Sequence, residues 1–149
     1  MAITHIRTGD WETLGSAASE IRRRVFIEEQ NVPQEEEWDG LDPECQHFLA
    51  MLDGQPVGTA RLLPDGHIGR VAVLAEARGS GIGELLMQAA IEAARHANHT
   101  QVALSAQVHA LAFYERLGFV AHGDEFLDAG IPHREMTLSL AELAILIDL

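Results

Sequence analysis

Apolar and polar positions along the chain follow two rhythms, and each change of rhythm marks a new element. Ile3 to Thr8 alternates apolar with polar residues, the period of a half-buried strand. From Asp10 the spacing lengthens: Leu14, Ala17, Ala18, Ile21 and Val25 recur three and four apart, which predicts a helix with Asp10 as its N-cap. Pro33 ends it, having no N–H to continue the ladder. Two strands follow, His47 to Leu52 and Val57 to Leu63, joined by the hairpin signal Asp53-Gly54-Gln55-Pro56. A turn at Pro64-Asp65-Gly66 leads into an apolar strand, Ile68 to Leu74, and then a second long helix with Leu85, Leu86, Ala89, Ala90 and Ala93 on one face. Gln101 to Ser105 reads as a strand and HALAFYERLGF as a short helix, with Gly118 at the position where a left-handed residue ends it. Phe119 to Phe126 and His133 to Leu140 read as a last antiparallel pair around Asp128-Ala129-Gly130, and the apolar end 141–149 is expected to be a short helix or strand. The order β-α-β-β-β-α-β-α-β-β predicts a single domain over residues 1–149, one mixed sheet with helices on both faces.

Between the central strand and the second helix lies Arg78-Gly79-Ser80-Gly81-Ile82-Gly83. The first N–H groups of a helix lack internal partners and carry the positive end of its dipole. Glycines at alternate positions let those groups converge with no Cβ in the way, a cradle for a diphosphate with Arg78 as charged partner. A P-loop is excluded because Glu84, not Lys, follows Gly83. A Rossmann loop is excluded by the G-x-G-x-G spacing late in the chain.

Composition narrows the partners. With a net charge of −13, the chain lacks the basic face that nucleic acid requires. That charge favours a cationic amine as much as it favours plain solubility. No apolar run approaches the roughly 20 residues of a membrane span, and the expected location is cytoplasmic. The single cysteine, Cys45, has Asp42 and Glu44 as neighbours, which disfavour the thiolate, so it is expected to be inert. The acidic run 34–43 reads as a solvated loop. Trp38 within it is either a packing anchor or the floor of an amine pocket.

The segments Gly69-Arg70-Val71-Ala72-Val73, Arg78 to Gly83 and Phe113-Tyr114-Glu115-Arg116-Leu117-Gly118-Phe119 together resemble the GNAT acetyltransferase superfamily. Val25-Phe26 with Glu29-Gln30, Ala106-Gln107-Val108-His109 and Gly130-Ile131-Pro132-His133 resemble its ElaA-like subgroup more closely. The resemblance implies a mixed, mostly antiparallel sheet whose two parallel central strands splay to admit acetyl-CoA or another acyl-CoA. It also implies acyl transfer to a small-molecule or peptide amine by direct attack. Val71, Ala72 and Val73 would line the pantetheine arm, and Arg78, Gly79, Ser80, Gly81, Ile82 and Gly83 would hold the diphosphate. Phe113, Tyr114 and Gln107 would complete the donor site, although many members carry Asn where Gln107 stands.

Tyr114 is the candidate general acid for the departing thiolate, with a purely packing tyrosine as the alternative. His67, His109, His133 and Glu29 are candidates for the base, with Glu28 beside the last. His67 falls where some histone acetyltransferases of the superfamily carry a catalytic glutamate. The histidines lack metal-ligand spacing, so no metal is expected. Two other functions stay open: a non-catalytic acyl-CoA sensor that keeps the cradle, or an oligomeric scaffold whose end segment makes the interface. A homodimer using Ala141–Leu149 is expected, since an apolar end segment would otherwise be exposed.

Overall fold

The computed structural model describes residues 3–140; the expected contribution of Ala141–Leu149 to a dimer lies outside them. The elements are β1 (Thr4–Gly9), α1 (Trp11–Arg22), α2 (Gln34–Glu37), β2 (Gln46–Leu52), β3 (Gln55–Leu62), β4 (Ile68–Val73), α3 (Ile82–His96), β5 (Gln101–Gln107), α4 (Leu111–Arg116), β6 (Val120–Asp128) and β7 (Ile131–Ser139). Asp10 caps α1, its carboxylate accepting from the Thr13 N–H at 2.9 Å. Past Arg22 the helix widens into a π-helical stretch, Arg23–Glu29, closed by Gln30 N–H donating to Val25 O at 3.1 Å. Such widened turns recur at functional sites, and nothing in the apolar spacing foretells this one.

The strands form a four-stranded antiparallel group, β1-β2-β3-β4, and a three-stranded one, β5-β7-β6. One parallel bridge, His67 with Ala103, joins them. From there β4 and β5 diverge, so the expected splay of the parallel central strands separates the two groups. Side chains of β2 and β3 alternate between two covered faces. Gly58 lies against Leu86 and Ile82 of α3, where an added Cβ would come within 3.0 Å of Leu86. His47, on the other face, packs against Trp11 of α1 with ring centroids 4.8 Å apart and ring planes tilted by 40°. The core gathers Leu14, Ile21, Phe48, Leu62, Leu86, Met87 and Met136.

Two expectations are corrected. The buried face of α3 is Ile82, Leu86, Met87, Ala90, Ile91 and Ala94; Leu85 is exposed, and Ala89 and Ala93 are only half-buried. A run with small alanines on several sides supports more than one stripe, and contact with Gly58 selects the one bearing Ile82 and Leu86. The acidic run is not a solvated loop either. It forms α2 and a short 3₁₀ turn at Asp42–Glu44, and Glu37 and Asp42 are buried.

What buries them is Arg22, itself 1% exposed. Its Nε meets Glu37 Oε2 at 2.8 Å and its Nη1 meets Asp42 Oδ1 at 2.7 Å. Trp38 stacks on this guanidinium at 5.1 Å, so it packs on a cation of the chain itself and not as the floor of an amine pocket. Arg61 adds Nη1 to Asp42 Oδ1 at 2.9 Å and Nη2 to Asp39 Oδ2 at 2.5 Å. Burial alone would raise the Asp39 carboxyl. Hydrogen bonds from Arg61 and the Leu41 N–H, with the charges of Arg61 and Arg70, outweigh it and hold the group well below the usual range. Cys45 is buried beside this cluster, and burial pushes its thiol up to about 11, consistent with an inert cysteine.

Candidate active site

The divergence of β4 from β5 opens a cleft of about 760 Å³. Past the His67–Ala103 bridge the edge of β4 facing β5 carries no ladder, so its peptide groups turn to the opening. Along the other edge β4 pairs with β3, but irregularly: Thr59 lies opposite Ala72 and Arg61 opposite Gly69, leaving Ala60 to face both Arg70 and Val71. This is a β-bulge, and Arg70 occupies it with φ +50. A left-handed conformation costs a non-glycine residue roughly 1–2 kcal/mol, so the surrounding contacts must impose it.

The cleft ends beyond β4 at the glycine loop. Gly79 and Gly81 have φ of +84 and +82, and a Cβ at either would meet nothing within 4 Å. Open space on the side-chain side and a left-handed backbone are what a phosphate cradle requires. Gly81 is the N-cap of α3 and has no side chain to cap it, so the first N–H groups stay available. Gly83 is glycine for another reason: a Cβ there would come within 3.3 Å of Phe113, whose ring packs against the helix start. Ser80 donates to Ala77 O at 2.9 Å and Ile82 is buried, so both stiffen the loop. Arg78 does not stand free. Its Nε donates to Val73 O at 2.9 Å, and its two Nη groups grip Glu29 at 2.6 and 2.7 Å.

The other sequence candidates converge on the same cleft: Val71, Ala72 and Val73 from β4, Gln107 and His109 from the end of β5, Tyr114 from α4, and Glu29, His67 and His133. Their states differ. Tyr114 stands edge-on to Phe113 and Phe119, with centroids 4.9 and 6.0 Å away, and burial pushes its phenol up to about 12. It is therefore a proton donor throughout the neutral range. Glu29 is held below the ordinary carboxylate range by its hydrogen bonds from Arg78, which weakens it as a base. His67 is half-exposed and tied through Nδ1 to Asp65 at 3.0 Å. The Nε2–H of His109 donates to Gln107 Oε1 at 2.6 Å, and Gln107 donates in turn to Gln30 Oε1 at 2.8 Å. This chain of amides spans from the end of the widened helix to the end of β5. His133 is buried, stacked on Phe126 at 5.8 Å, and its Nδ1–H donates to Ile131 O at 2.6 Å, leaving Nε2 as an acceptor.

Sequence reasoning missed Arg70, Arg61 and Asp39, all of which line the cleft. The available signal was an arginine inside an otherwise apolar strand facing an acidic run.

A splayed sheet, a bulged central strand and an uncapped glycine turn define the acyl-CoA N-acyltransferase class, and comparison with known proteins agrees. Residues 14–140 match the family described as "Acetyltransferase (GNAT) domain". An uncharacterized N-acetyltransferase of Bacillus subtilis, YjcF, is 41% identical over 120 residues, covering 78% of this chain and 86% of its own. Among solved structures, an acyl-CoA N-acyltransferase from Pseudomonas aeruginosa superposes with a TM-score of 0.81 at 36% identity, over 92% of this chain and 100% of that one. Escherichia coli ElaA gives a TM-score of 0.81 at 29% identity, over 92% and 100%. The chain belongs to the GNAT acetyltransferase family and is an acyl-CoA-dependent N-acyltransferase, with ElaA among its structural relatives. Among the described residues, no helix is long and apolar enough to cross a membrane.

Proposed function

We propose that the protein transfers an acetyl group from acetyl-CoA to a primary amine of a small molecule or peptide by direct attack, with Tyr114 as general acid. The observation that carries the reading is the unpaired edge of β4 leading straight to the uncapped start of α3. Backbone groups of Val71, Ala72 and Val73 satisfy the pantetheine amides. The N–H groups from Gly79 to Gly83 take the diphosphate, with Arg78 adding charge once it exchanges Glu29 for phosphate. A peptide N–H at the bulge polarises the thioester carbonyl. The amine nitrogen bonds to that carbon, the C–S bond breaks, and the Tyr114 phenol gives its proton to the leaving sulfur. His133 is the base this geometry favours. It is buried in the wall of the cleft with its Nδ1–H fixed on Ile131 O, so its Nε2 can take the proton that the attacking ammonium sheds, whereas Glu29 is committed to Arg78, His67 is tied to Asp65 and His109 is exposed.

A cytoplasmic location is supported by the single, buried cysteine. A homodimer is supported by β6, an edge strand exposing Val120 and Leu127. The acidic chain favours cationic acceptors. The experiment is thiol release from acetyl-CoA in the presence of spermidine, tyramine and a lysine-containing peptide, with mass detection of the acetylated product. Acetyl-CoA binding without turnover of any amine would leave a binding protein and remove this reading.

A further inference from the structure

We propose that Arg70 is a positioning residue for the acceptor amine, tying the wall of the cleft formed by 34–39 to the bulge in β4; this rests on the acyl-transfer reading above. Its guanidinium reaches across to that wall at four points. Nη2 donates to Glu36 O at 3.3 Å, to Glu37 O at 3.0 Å and to Asp39 Oδ2 at 3.3 Å, and Nε stands 3.1 Å from Glu37 Oε2. Glu36, Glu37 and Asp39 line the cleft together with Arg70.

The wall needs such a tether. The four residues of α2 are too few to hold a helix by themselves, since nucleation costs more than one turn returns. Arg22 anchors the buried side of the segment through Glu37 and Asp42. Arg70 grips two backbone carbonyls at the cleft-facing end of α2, holding Glu36 O and sharing Glu37 O with Arg22 Nη2, which donates to it at 3.3 Å from the buried side. Its left-handed φ makes this possible, because the bulge displaces the side chain from the ordinary alternation of β4. Glycine would fit that backbone without strain, so the arginine side chain has a use that outweighs its conformational cost. The charges also balance: Arg22, Arg61 and Arg70 against Glu37, Asp39 and Asp42. The cluster therefore shapes the wall without itself attracting an ion, and acts on the acceptor through position.

Two variants test this, Arg70→Gly and Arg70→Lys. Glycine keeps the bulge and removes the guanidinium; lysine keeps the charge and loses the planar fork. In both, amide hydrogen exchange at Glu36–Asp39 is expected to quicken about tenfold or more. The KM for whichever of spermidine, tyramine or the lysine peptide is turned over should rise about tenfold, with kcat and acetyl-CoA affinity within about threefold of wild type. Wild-type exchange and wild-type amine KM in both variants would overturn the proposal. So would an equal loss of acetyl-CoA affinity, which would mark Arg70 as a support of the whole strand. If wild type turns over none of the three amines, the acyl-transfer reading fails on its own. The exchange measurement then still judges the tether, with faster exchange at Glu36–Asp39 supporting it and unchanged exchange overturning it.

Discussion

Two arginine–carboxylate groups flank the same cleft with nearly the same bond lengths and opposite surroundings. Arg78 grips Glu29 at 2.6 and 2.7 Å, with both side chains 43% exposed. Arg22 meets Glu37 and Asp42 at 2.8 and 2.7 Å, where the three side chains are 1%, 3% and 7% exposed. Water screens the first pair and competes for each partner, so it holds loosely and can be exchanged for a ligand. The second cluster has no such alternative. Each charge has been taken out of water, and only its partners make that tolerable. On the proposed function, one is a latch on the donor side and the other a frame on the acceptor side.

Breaking the frame should have the largest effect. Arg22→Met fills similar space but leaves Glu37 and Asp42 buried and short of a partner, and Trp38 without its stacked cation. Urea unfolding should show a loss of about 3–5 kcal/mol. A loss below about 1 kcal/mol would mean that the segment rearranges freely, and the distinction between frame and latch would fall.

Next comes Tyr114, in the same cleft but with no charged partner. Tyr114→Phe keeps the ring against Phe113 and Phe119, so acetyl-CoA affinity and melting temperature should change little. The turnover number should fall by about one to three orders of magnitude. The raised pKa, about 12, fixes the sign of the pH dependence. The donor form persists as pH rises, so Tyr114 should impose no alkaline fall in kcat below about pH 11. Its contribution to stability is complete below the unfolded value of about 10 and is lost as pH climbs through 12. A Phe variant turning over at the wild-type rate would remove Tyr114 from the chemistry.

The contrast between latch and frame also explains which parts of the molecule were legible in the sequence. The donor side depends on neighbours in the chain: a strand, glycines at fixed offsets, then a helix. Local pattern was enough to find Arg78–Gly83 and the strand before it. The acceptor side depends on pairs 15 to 34 residues apart, Arg22 with Glu37 and Arg70 with Glu36. In a linear reading, Glu37 and Asp42 are charges in an acidic run, and solvation is the default for charges. Their burial follows only once Arg22 and Arg61 arrive from α1 and β3. The bulge at Arg70 and the widened turn after Arg22 are departures from period, which periodicity cannot announce. The offset of the buried stripe on α3 is smaller in kind: the helix was legible, its rotation was set by Gly58.

Acid titration should sharpen the contrast at intermediate size. Asp39 and Asp42 are both held below their ordinary values against the pull of burial, by Arg61 and by Arg22 respectively. Depressed folded values mean stability that is present above an unfolded pKa of about 4 and lost as pH falls below it. His47 adds an earlier loss: burial lowers its pKa, so acid below about 6.5 favours the unfolded chain. Asp39→Asn should therefore cost about 1 kcal/mol at pH 7, discounted for the 26% exposure of the side chain, and the gap to wild type should close as pH drops from 4 toward 2. A gap independent of pH would assign the loss to shape rather than charge.

The smallest effect on stability is expected at the latch, and there binding carries the information. Glu29→Gln keeps the size of the side chain and removes the charge that holds Arg78. Because both partners are exposed, stability should fall by no more than about 0.5–1 kcal/mol, against several for the frame. Acetyl-CoA affinity should move the other way. If Arg78 takes the diphosphate as proposed, the ligand must displace the Glu29 carboxylate from it, and that carboxylate also repels the ligand; with glutamine neither cost applies. Calorimetry should show binding tightened about two- to fivefold at low ionic strength. The gain should shrink as salt is raised, since the charges involved are open to solvent. Binding that weakens in Glu29→Gln would mean that the carboxylate aims Arg78 rather than competing for it, and the two clusters would then be frames alike.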